Sequence, residues 1–565
     1  MTQSVTHTLS TVDQMRDTLR RISHLKGRQP DVQSLQEVRA LVHAFERRDL
    51  LIEHLHALND AYRGLFERHL VALAHEMKLP MAEVFEVATF YHHFEVLPND
   101  ANPAALTVRV CDGLSCEMGG AKQLLAKLPA LLGAEVRVIR APCVGRCEQA
   151  PVAVVHQNAV PHATPDKVKA AVQAGHTQQA LPDYVDMDAY LADGGYALAA
   201  SLSKGTAQTE DVLQAMEASG LRGLGGAGFP AGRKWRIVRE QTAPRVMAVN
   251  IDEGEPGTFK DRTYLERDPH RFLEGMLVAA QVVGIEAIYI YLRDEYHGCR
   301  ALLQHELAAL QANPPCPLPH IELRRGAGAY VCGEESAMIE SIEGKRGEPR
   351  MRPPYIAQVG LFGKPTLEHN FETLYWVRDI VQKGSQWFTS FGANGRVGLR
   401  SFSVSGRVKQ PGVKLAPAGI TVQALIDEYC GGMLEGHTLY AYLPGGASGG
   451  ILPAHMNDIP LDFDTLQAHG CFIGSAAVVV LSQHDTARDA ALNAMAFFAH
   501  ESCGQCTPCR VGTVKAVQLM QAPTWDNATL EDLNQVMVDA SICGLGQAAP
   551  NPVRCVQTYF AHEVA

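Results

Sequence analysis

Four cysteines near the carboxyl terminus constrain this chain more than any other feature of its sequence. Cys503, Cys506 and Cys509 are spaced C-x2-C-x2-C, and Cys543 follows after 33 further residues. Three thiolates on one loop with a fourth from a distant element are typical of a [4Fe–4S] cluster. Structural zinc, the alternative, more often uses two pairs of ligands. The spacing predicts a [4Fe–4S] site in a helical domain at residues 483–565.

A second set of cysteines has the spacing C-x4-C, 26 residues, C-x3-C, and each pair follows a predicted strand, at residues 106–110 and 136–139. These cysteines are Cys111, Cys116, Cys143 and Cys147. Because both pairs follow strands, they are expected at one edge of a sheet, where four thiolates suit a [2Fe–2S] cluster. Zinc, or cysteines that are buried or disulfide-linked, are the alternatives. Residues 100–185 are predicted to form a thioredoxin-like α/β domain.

The composition of the chain argues against some classes of protein and favours a metal or redox protein. The 565 residues carry a net charge of −11 and include 14 cysteines. The absence of a basic excess argues against nucleic-acid binding. We see no apolar run near eighteen residues and no secretory signal, so the expected compartment is the cytoplasm, where many cysteines indicate metal or redox chemistry. Six cysteines outside both sets are expected to be buried structural thiols: Cys299, Cys316, Cys332, Cys430, Cys471 and Cys555.

A glycine-rich segment at residues 220–235 contains a formal G-x-G-x-x-G at Gly223, Gly225 and Gly228. It follows a predicted helix, not the strand that a dinucleotide-binding fingerprint requires. Several glycines still allow the backbone to approach a phosphate or a flat ring, and Lys234 supplies positive charge. A flexible loop is the alternative.

An acidic segment follows a predicted strand, at the end where open α/β sheets bind ligands. Its polar residues are Asn250, Asp252, Glu253 and Glu255. A solvated acidic loop is the alternative. Asp294 and Glu295, after another predicted strand, are expected to be surface charges.

Residues 330–335 form a second acidic segment, before a helix predicted over residues 337–343. Gly333 there suits the approach of a phosphate to a helix N-terminus, whereas Glu334 and Glu335 also fit a simply well-capped helix. The shared composition of the glycine-rich segment and the two acidic segments predicts one nucleotide and flavin pocket.

The predicted architecture is a multidomain α/β protein. Residues 1–99 form a helical bundle, with helices from residue 12 to about 95, and residues 186–204 look like a linker. Residues 205–395 form a Rossmann-like domain with the predicted nucleotide and flavin pocket, and residues 396–482 form a ubiquitin-like β-grasp domain. Within the latter, the loop at residues 444–450 either approaches another domain or a ligand, or is a plain turn.

Four segments, at residues 220–235, 250–262, 326–335 and 501–510, closely resemble the NADH-binding flavoprotein subunit of respiratory complex I. Residues 12–180 resemble its 24-kDa-type [2Fe–2S] partner. This fusion is similar to the β (diaphorase) subunit of soluble NAD-dependent molybdenum or tungsten formate dehydrogenases, and to the diaphorase subunit of NAD-reducing hydrogenases.

The resemblance implies FMN, with NAD(H) stacked on it. The implied FMN contacts are Gly223, Gly225, Lys234, Asn250, Asp252, Tyr330, Gly333, Glu334, Asn370 and Thr373. The implied NAD contacts are Phe229, Glu255, Glu335 and Tyr355, and Glu253 is a further candidate for cofactor binding. This chain departs from the family pattern at four positions, Leu224, Ile237, His369 and Tyr355. These departures bear on the binding of the adenine ring and on cofactor affinity, and not on the reaction type.

The resemblance also implies a function. Glu255 and Glu335 would orient the nicotinamide for hydride exchange with FMN, without a general base, and the clusters would carry single electrons. The implied partner is a molybdopterin-type formate dehydrogenase α subunit, with no nucleic acid and no membrane insertion. The alternatives are a hydrogenase diaphorase, a complex I-like NADH dehydrogenase module, or a non-catalytic NADH-sensing or zinc-binding adaptor.

Overall fold

The computed structural model describes residues 28–565, which divide into two compact units. Residues 28–90 and 94–103 form the smaller unit, and residues 91–93 and 104–565 form the larger one. The part of the predicted helical region before residue 28 lies outside the described residues. The helices within residues 28–565 include none with the length and hydropathy of a membrane-spanning segment.

The smaller unit is mainly helical. It contains a short parallel strand pair, in which residues 65–66 lie beside residues 96–97, and Leu65 N donates to Glu95 O at 2.8 Å. Within the region predicted to be helical up to about residue 95, residues 65–66 are instead a strand, and the last helix ends at Phe90. The strands are β1 (Leu65–Phe66) and β2 (Val96–Leu97), and the helices are Val32–Leu41, Leu51–Tyr62, Glu67–Met77 and Met81–Phe90, with a 3₁₀ turn at Arg48–Leu50.

Residues 104–176 form a four-stranded sheet in the order β4-β3-β5-β6. Strand β3 lies inside the sheet, parallel to β4 and antiparallel to β5, and its Val108 and Val110 are fully buried. The strands are β3 (Leu106–Cys111), β4 (Val136–Ala141), β5 (Ala153–Val155) and β6 (Asn158–Val160), and the helices are Leu114–Met118, Ala121–Leu132 and Pro165–Gln173. The ends of β3 and β4 deliver the two cysteine pairs to one edge, as the spacing predicted.

A parallel sheet in the order β10-β7-β8-β9 forms the centre of the next region. Its two central strands carry largely apolar, buried runs, as expected where helices cover both faces, whereas the two edge strands carry more polar residues. The strands are β7 (Arg245–Ile251), β8 (Ile285–Leu292), β9 (His320–Arg325) and β10 (Thr366–Asn370). The helices are Met187–Ala192, Ala197–Ser203, Thr209–Ala218, Ala231–Arg239, Lys260–Leu265, Pro269–Val283, His297–Ala312, Glu335–Ile342, Phe371–Tyr375, Val377–Lys383 and Ser385–Thr389.

The segment predicted as a linker, residues 186–204, instead forms the first two of these helices. Tyr190 Oη and Tyr196 N both donate to Glu274 Oε2, at 2.6 and 2.9 Å, so the segment packs on helix Pro269–Val283. This partner lies about 80 residues away in the chain, so local sequence patterns carry no signal for it.

A mixed five-stranded sheet in the order β12-β11-β15-β13-β14 follows, and the chain ends in helices. The strands are β11 (Leu399–Gly406), β12 (Gly412–Pro417), β13 (Leu439–Leu443), β14 (Leu452–Pro453) and β15 (Ala477–Ser482), with helical turns at Val422–Ala424 and Leu425–Tyr429. The terminal helices are Ala487–Glu501, Thr507–Met520, Asn527–Ala540, Gly544–Ala548 and Asn551–Tyr559.

Candidate functional site

The three polar segments singled out in the sequence line one cavity of about 640 Å³. They meet at the carboxyl ends of β7 and β10, where a parallel sheet leaves a crevice. The predicted site residues on its wall are Gly223, Gly225, Phe229, Lys234, Asn250, Asp252, Glu253, Glu255, Tyr330, Gly333, Glu334, Glu335 and Asn370. Two predicted residues, Thr373 and Tyr355, are not among the lining residues.

The glycine loop is held by backbone contacts that leave its cavity side bare. Gly223 N donates to Phe229 O at 2.8 Å, and Leu224 N donates to Thr373 Oγ1 at 2.9 Å. Thr373 therefore positions the loop from behind. A Cβ placed at Gly225 would lie 3.0 Å from Asn370 Cβ, so this glycine permits close packing beside the cavity.

Asp252 lines the cavity, and one of its carboxylate oxygens has no hydrogen-bond partner among the described residues. Its backbone N–H donates to Asn250 Oδ1 at 3.0 Å, and Asn250 Nδ2 donates to Gly333 O at 2.9 Å, so the two loops are tied together. Oδ2 of Asp252 is buried and has no hydrogen-bond partner among the described residues. Burial raises the pKa of Asp252 well above its ordinary value. Such a group fits a ligand that hydrogen-bonds to it.

Glu253, in contrast, is used by the protein itself. Its Oε1 accepts from Asp261 N at 2.8 Å, and its Oε2 accepts from Arg262 N at 3.1 Å and from Tyr296 Oη at 2.8 Å. Burial, aided by the charge of Asp261, raises the pKa of Glu253 to about 7. Glu253 thus shapes the cavity wall, and both of its oxygens already have protein donors.

Glu255 is fixed from two sides. Its Oε1 accepts from the backbone and hydroxyl of Ser448, both at 2.7 Å, and its Oε2 accepts from Tyr330 Oη. Burial raises the pKa of this carboxyl. The loop at residues 444–450 therefore does approach the site, since both Gly445 and Ser448 line the cavity.

The two neighbouring acids at the start of helix Glu335–Ile342 have different surroundings. Glu334 caps the helix, because its Oε2 accepts from Ser336 N at 3.0 Å and from Ala337 N at 2.9 Å. Glu335 accepts only from Arg352 Nη1, at 2.9 Å, among the side-chain hydrogen bonds of the described residues. Burial raises the pKa of Glu335. Glu335 is therefore the freer of the two toward a ligand.

His369 adds a donor that the sequence did not identify as such. Trp235 Nε1 donates to His369 Nε2 at 2.8 Å, so the proton of the neutral ring resides on Nδ1. The pKa of His369 lies well below its ordinary value, mainly because the ring is buried and secondly because the positive charge of Lys234 is near. Nδ1 is buried without a partner among the described residues, and His369 lines the cavity.

The cavity has further lining residues to which the sequence analysis assigned no individual role. They include Thr258, Lys260, Asp261, Arg352, Glu368, Phe472, Ser475, Gln547 and Asn551. Lys260 illustrates why they were missed: its ammonium contacts Asp261 at 2.7 Å and Glu372 at 3.0 Å, in an ion-pair group that forms only on folding. The signal that could have identified Lys260 was its position as a basic residue within the segment at residues 250–262.

The carboxyl-terminal cysteines converge beside this cavity. Cys503 lies in the loop before helix Thr507–Met520, Cys506 directly precedes that helix, and Cys509 lies in its first turn. Cys543, immediately before helix Gly544–Ala548, lines the cavity itself. Burial raises the pKa of Cys509 to about 12 and that of Cys543 to about 11. Thiolates at such positions need the compensating charge of a metal centre.

The other cysteine set forms a buried cluster of its own. Cys143 Sγ lies 3.3 Å from Cys147 Sγ, and the Cys111 thiol is within hydrogen-bonding reach of both Cys116 and Cys143. A small enclosed space beside Cys111, Cys116 and Cys147 is also lined by Pro256 and Gly257. These two residues directly follow Glu255, so the cysteine cluster and the large cavity share one loop.

Comparison with known proteins decides the family. The chain is 40% identical over 374 residues to the mitochondrial NADH-ubiquinone oxidoreductase 51 kDa subunit of Neurospora crassa, a match that spans 62% of this chain and 76% of that protein. The chain belongs to the 51 kDa family of NADH oxidoreductase subunits. A bacterial relative, an NADH-quinone oxidoreductase subunit of Rhizobium meliloti (strain 1021), is 39% identical over 399 residues, with 68% of this chain and 94% of the relative covered.

Four domain families match successive parts of this member of the 51 kDa family. They are the thioredoxin-like [2Fe-2S] ferredoxin at residues 36–176, the Nuo51 FMN-binding domain at 216–379, the SLBB domain at 401–452, and the NADH-ubiquinone oxidoreductase-F iron-sulfur binding region at 489–565. The predicted fold class is confirmed, as a series of mixed α/β domains with a helical carboxyl terminus.

A solved structure of an NAD+-reducing [NiFe]-hydrogenase in the H2-reduced state has a chain similar to this 51 kDa family member over nearly its whole length. The TM-score is 0.79 at 33% identity, and the match covers 92% of each chain. The fusion of a [2Fe–2S] domain to the flavin domain therefore has a structural counterpart.

The residues present fit the cofactors of the family. The cavity has bare glycine backbone, one orphaned acceptor on Asp252 and one orphaned donor on His369, among the described residues. Each cysteine set gathers four thiols, the number that a cluster requires. The predicted cofactors, FMN, NAD(H), [2Fe–2S] and [4Fe–4S], are confirmed for this chain. The six remaining cysteines are buried, as predicted.

Proposed function

We propose that this chain is the diaphorase subunit of an NAD-dependent formate dehydrogenase. In this proposal it passes electrons to NAD+ from formate that is oxidised on a molybdopterin-type partner subunit. One structural relationship carries the electron-transfer part: both cysteine sets adjoin residues or loops of the cofactor cavity. Cys543 lines the cavity, and the loop that carries Glu255 continues into Pro256 and Gly257 beside Cys111, Cys116 and Cys147.

The carboxylates of the cavity support the assigned roles. Glu255 is immobilised by Ser448 and Tyr330, which suits a group that positions a substrate rather than one that moves a proton. Glu335 stands at the cavity with a single side-chain partner, Arg352, and is proposed to orient the nicotinamide amide. FMN, when bound, supplies the exchange between two-electron and one-electron transfer.

The assignment of sites is proposed residue by residue. Gly223, Gly225, Lys234, Asn250, Asp252, Tyr330, Gly333, Glu334 and Asn370 are proposed to hold FMN, and Phe229, Glu255 and Glu335 are proposed to hold NAD(H). Thr373 supports the flavin through Leu224. Tyr355 is 56% exposed, so its proposed contact with NAD requires the ligand to extend beyond the cavity. Glu253 is proposed to act on the wall and not on a cofactor.

Formate is proposed as the electron source because the amino-terminal four-cysteine set, Cys111, Cys116, Cys143 and Cys147, is intact, whereas fusions that resemble hydrogenase diaphorases often lack a complete set there. The second candidate is a hydrogenase diaphorase. The similarity to a chain of the NAD+-reducing [NiFe]-hydrogenase, at 33% identity over 92% of each chain, favours it.

The two candidates are separated by purifying the chain with its native partners. We expect NAD+ reduction with formate and none with H2, and a molybdenum or tungsten signal in elemental analysis. NADH-dependent dye reduction by the same preparation is the control, because it requires only the flavin and clusters of this chain. NAD+ reduction with H2, or co-purification of a hydrogenase large subunit, would overturn the assignment to formate.

A further inference from the structure

A group of metal-ligating side chains lies outside both cysteine sets. His92, His500 and Glu501 each offer one ligand atom, and these atoms lie within 4.8 Å of one another. His92 Nε2 is 3.9 Å from Glu501 Oε2, and His500 Nε2 is 3.9 Å from Glu501 Oε1. The two imidazole rings are stacked, with centroids 4.1 Å apart and planes inclined by 20°.

The segment that carries His92 is fixed in place. The backbone N–H groups of His92 and His93 donate to Gly328 O and Ala327 O at 3.3 and 3.1 Å. Tyr91 Oη donates to Ser341 Oγ at 2.9 Å, and His93 Nδ1 lies 2.7 Å from Asp294 Oδ2. His93 is thereby engaged elsewhere, and His92 alone of the two histidines faces Glu501.

The carboxylate is also oriented before any ion arrives. Glu501 is 4% exposed and ends helix Ala487–Glu501, and its Oε2 accepts from Tyr330 N at 2.9 Å. Oε1 faces His500. The histidine side chains retain 35% and 49% of their exposure, so an ion there has access to solvent for a fourth, water ligand.

We propose that His92, His500 and Glu501 form a binding site for a divalent ion of the zinc type. Two imidazole nitrogens and a carboxylate oxygen are ligands that Zn²⁺ accepts with bonds of about 2.0–2.2 Å. Since two such bonds span at most about 4.2 Å, the present 3.9 Å separations need only a small inward movement of the exposed rings. The preference of Mg²⁺ and Ca²⁺ for oxygen ligands argues against those ions.

The position of the site suggests what the ion does. Glu501 lies two residues before Cys503, and through Tyr330 N it holds the segment that lines the cofactor cavity. Occupation of the site clamps the segment at residues 91–93 to the end of this helix. The ion is thus structural, and it is distinct from the iron that the eight cluster cysteines bind.

The test uses the holoprotein, with flavin and both clusters, dialysed against buffered Zn²⁺. Zinc and iron are counted per chain by mass spectrometry. We expect one zinc per chain with no loss of iron, and a rise in the thermal midpoint on zinc addition. His92→Ala and His500→Ala are each expected to weaken zinc binding about tenfold or more, the lower bound set by the loss of even an outer-shell partner.

His455→Ala is the matched control, because His455 is an exposed histidine far along the chain from the site, and it is expected to bind zinc as the parent does. Flavin and iron contents of each variant show that it is folded. Equal zinc affinity in the parent and in both site variants would overturn the proposal. Zinc uptake matched by loss of iron would also overturn it, because the zinc would then occupy cluster cysteines.

Discussion

Arg293 Nη2 donates to the carbonyl oxygen of Cys143 at 2.7 Å, so a buried guanidinium supports the loop that carries two cysteines of the [2Fe–2S] set. Nη1 of the same group donates to the carbonyl oxygen of Glu253 on the cavity wall. Glu295 balances the charge at 2.7 Å. Although burial alone would raise it, the charge of Arg293 lowers the pKa of Glu295 to about 2. One residue therefore links the cluster loop to the cofactor loop.

Arg293→Met should destabilise the chain and its [2Fe–2S] site together. Removing one member of a buried ion pair leaves the other charge uncompensated, which costs about 3–5 kcal/mol. We expect a lower thermal midpoint and loss of the [2Fe–2S] electron paramagnetic resonance signal. Adding Glu295→Gln removes the stranded charge and should recover part of the stability but not the cluster support. An unchanged midpoint and unchanged cluster signal in the single variant would contradict this role.

Glu335→Ala should weaken NAD(H) use and leave FMN and both clusters in place. The Glu335 carboxylate lies at the cavity, and its side-chain partner is Arg352. Its removal therefore takes away a contact with the ligand and leaves the hydrogen bonds that cap the helix in place. We expect KM for NADH to rise about tenfold, which corresponds to about 1.4 kcal/mol. The measurement is NADH-dependent dye reduction with flavin content determined in parallel.

Glu334→Ala is the matched comparison, because that carboxylate caps the helix through Ser336 N and Ala337 N. Loss of such a cap costs about 1 kcal/mol. This variant should lower thermal stability and flavin content more than Glu335→Ala does. If Glu335→Ala loses FMN instead, the division of roles between the two acids is wrong.

The cluster cysteines and the three cavity segments were predictable because their signals are local. Cys503, Cys506 and Cys509 occupy one short loop, and a spacing that suits a cluster is visible without a fold. Asn250 and Glu255 follow a strand whose apolar run is visible in the same way. In a parallel sheet such loops meet at one edge, so their convergence followed from the predicted sheet.

Charges that depend on distant partners could not be predicted. Asp294 and Glu295 were expected at the surface, and this was wrong: Asp294 is 6% exposed and contacts His93 at 2.7 Å. Glu295 pairs with its chain neighbour Arg293, which is itself buried against the distant Cys143 carbonyl. His93 lies 201 residues away in the chain, and Cys143 lies 150 residues from Arg293. Sequence periodicity reports on neighbours within one element, so it carries no signal for such pairs.

Cys543→Ala should remove the [4Fe–4S] cluster and spare the [2Fe–2S] cluster. Cys543 is the distant fourth ligand of its set and lines the cofactor cavity, so its loss opens the cluster on the cavity side. We expect iron to fall by up to about four atoms per chain, the content of that cluster, with NADH-dependent flavin reduction retained. Cys430→Ala, at a buried cysteine outside both sets, is the control and should keep all iron. Equal iron loss in the two variants would contradict the assignment.

His369 should make the folded state sensitive to acid. Burial holds the pKa of His369 well below the ordinary value of 6.5, so the unfolded chain binds a proton near pH 6.5 and the folded chain does not. The stability from this group is therefore complete above pH 6.5 and declines as the pH falls, by at most about 1.4 kcal/mol per pH unit. His369→Gln keeps an acceptor for Trp235 Nε1 and should lose less thermal stability than the parent between pH 7.5 and 5.5. His455→Gln, at an exposed histidine, should follow the parent. An identical pH dependence of the thermal midpoint in His369→Gln and the parent would show that His369 does not stay neutral in the fold.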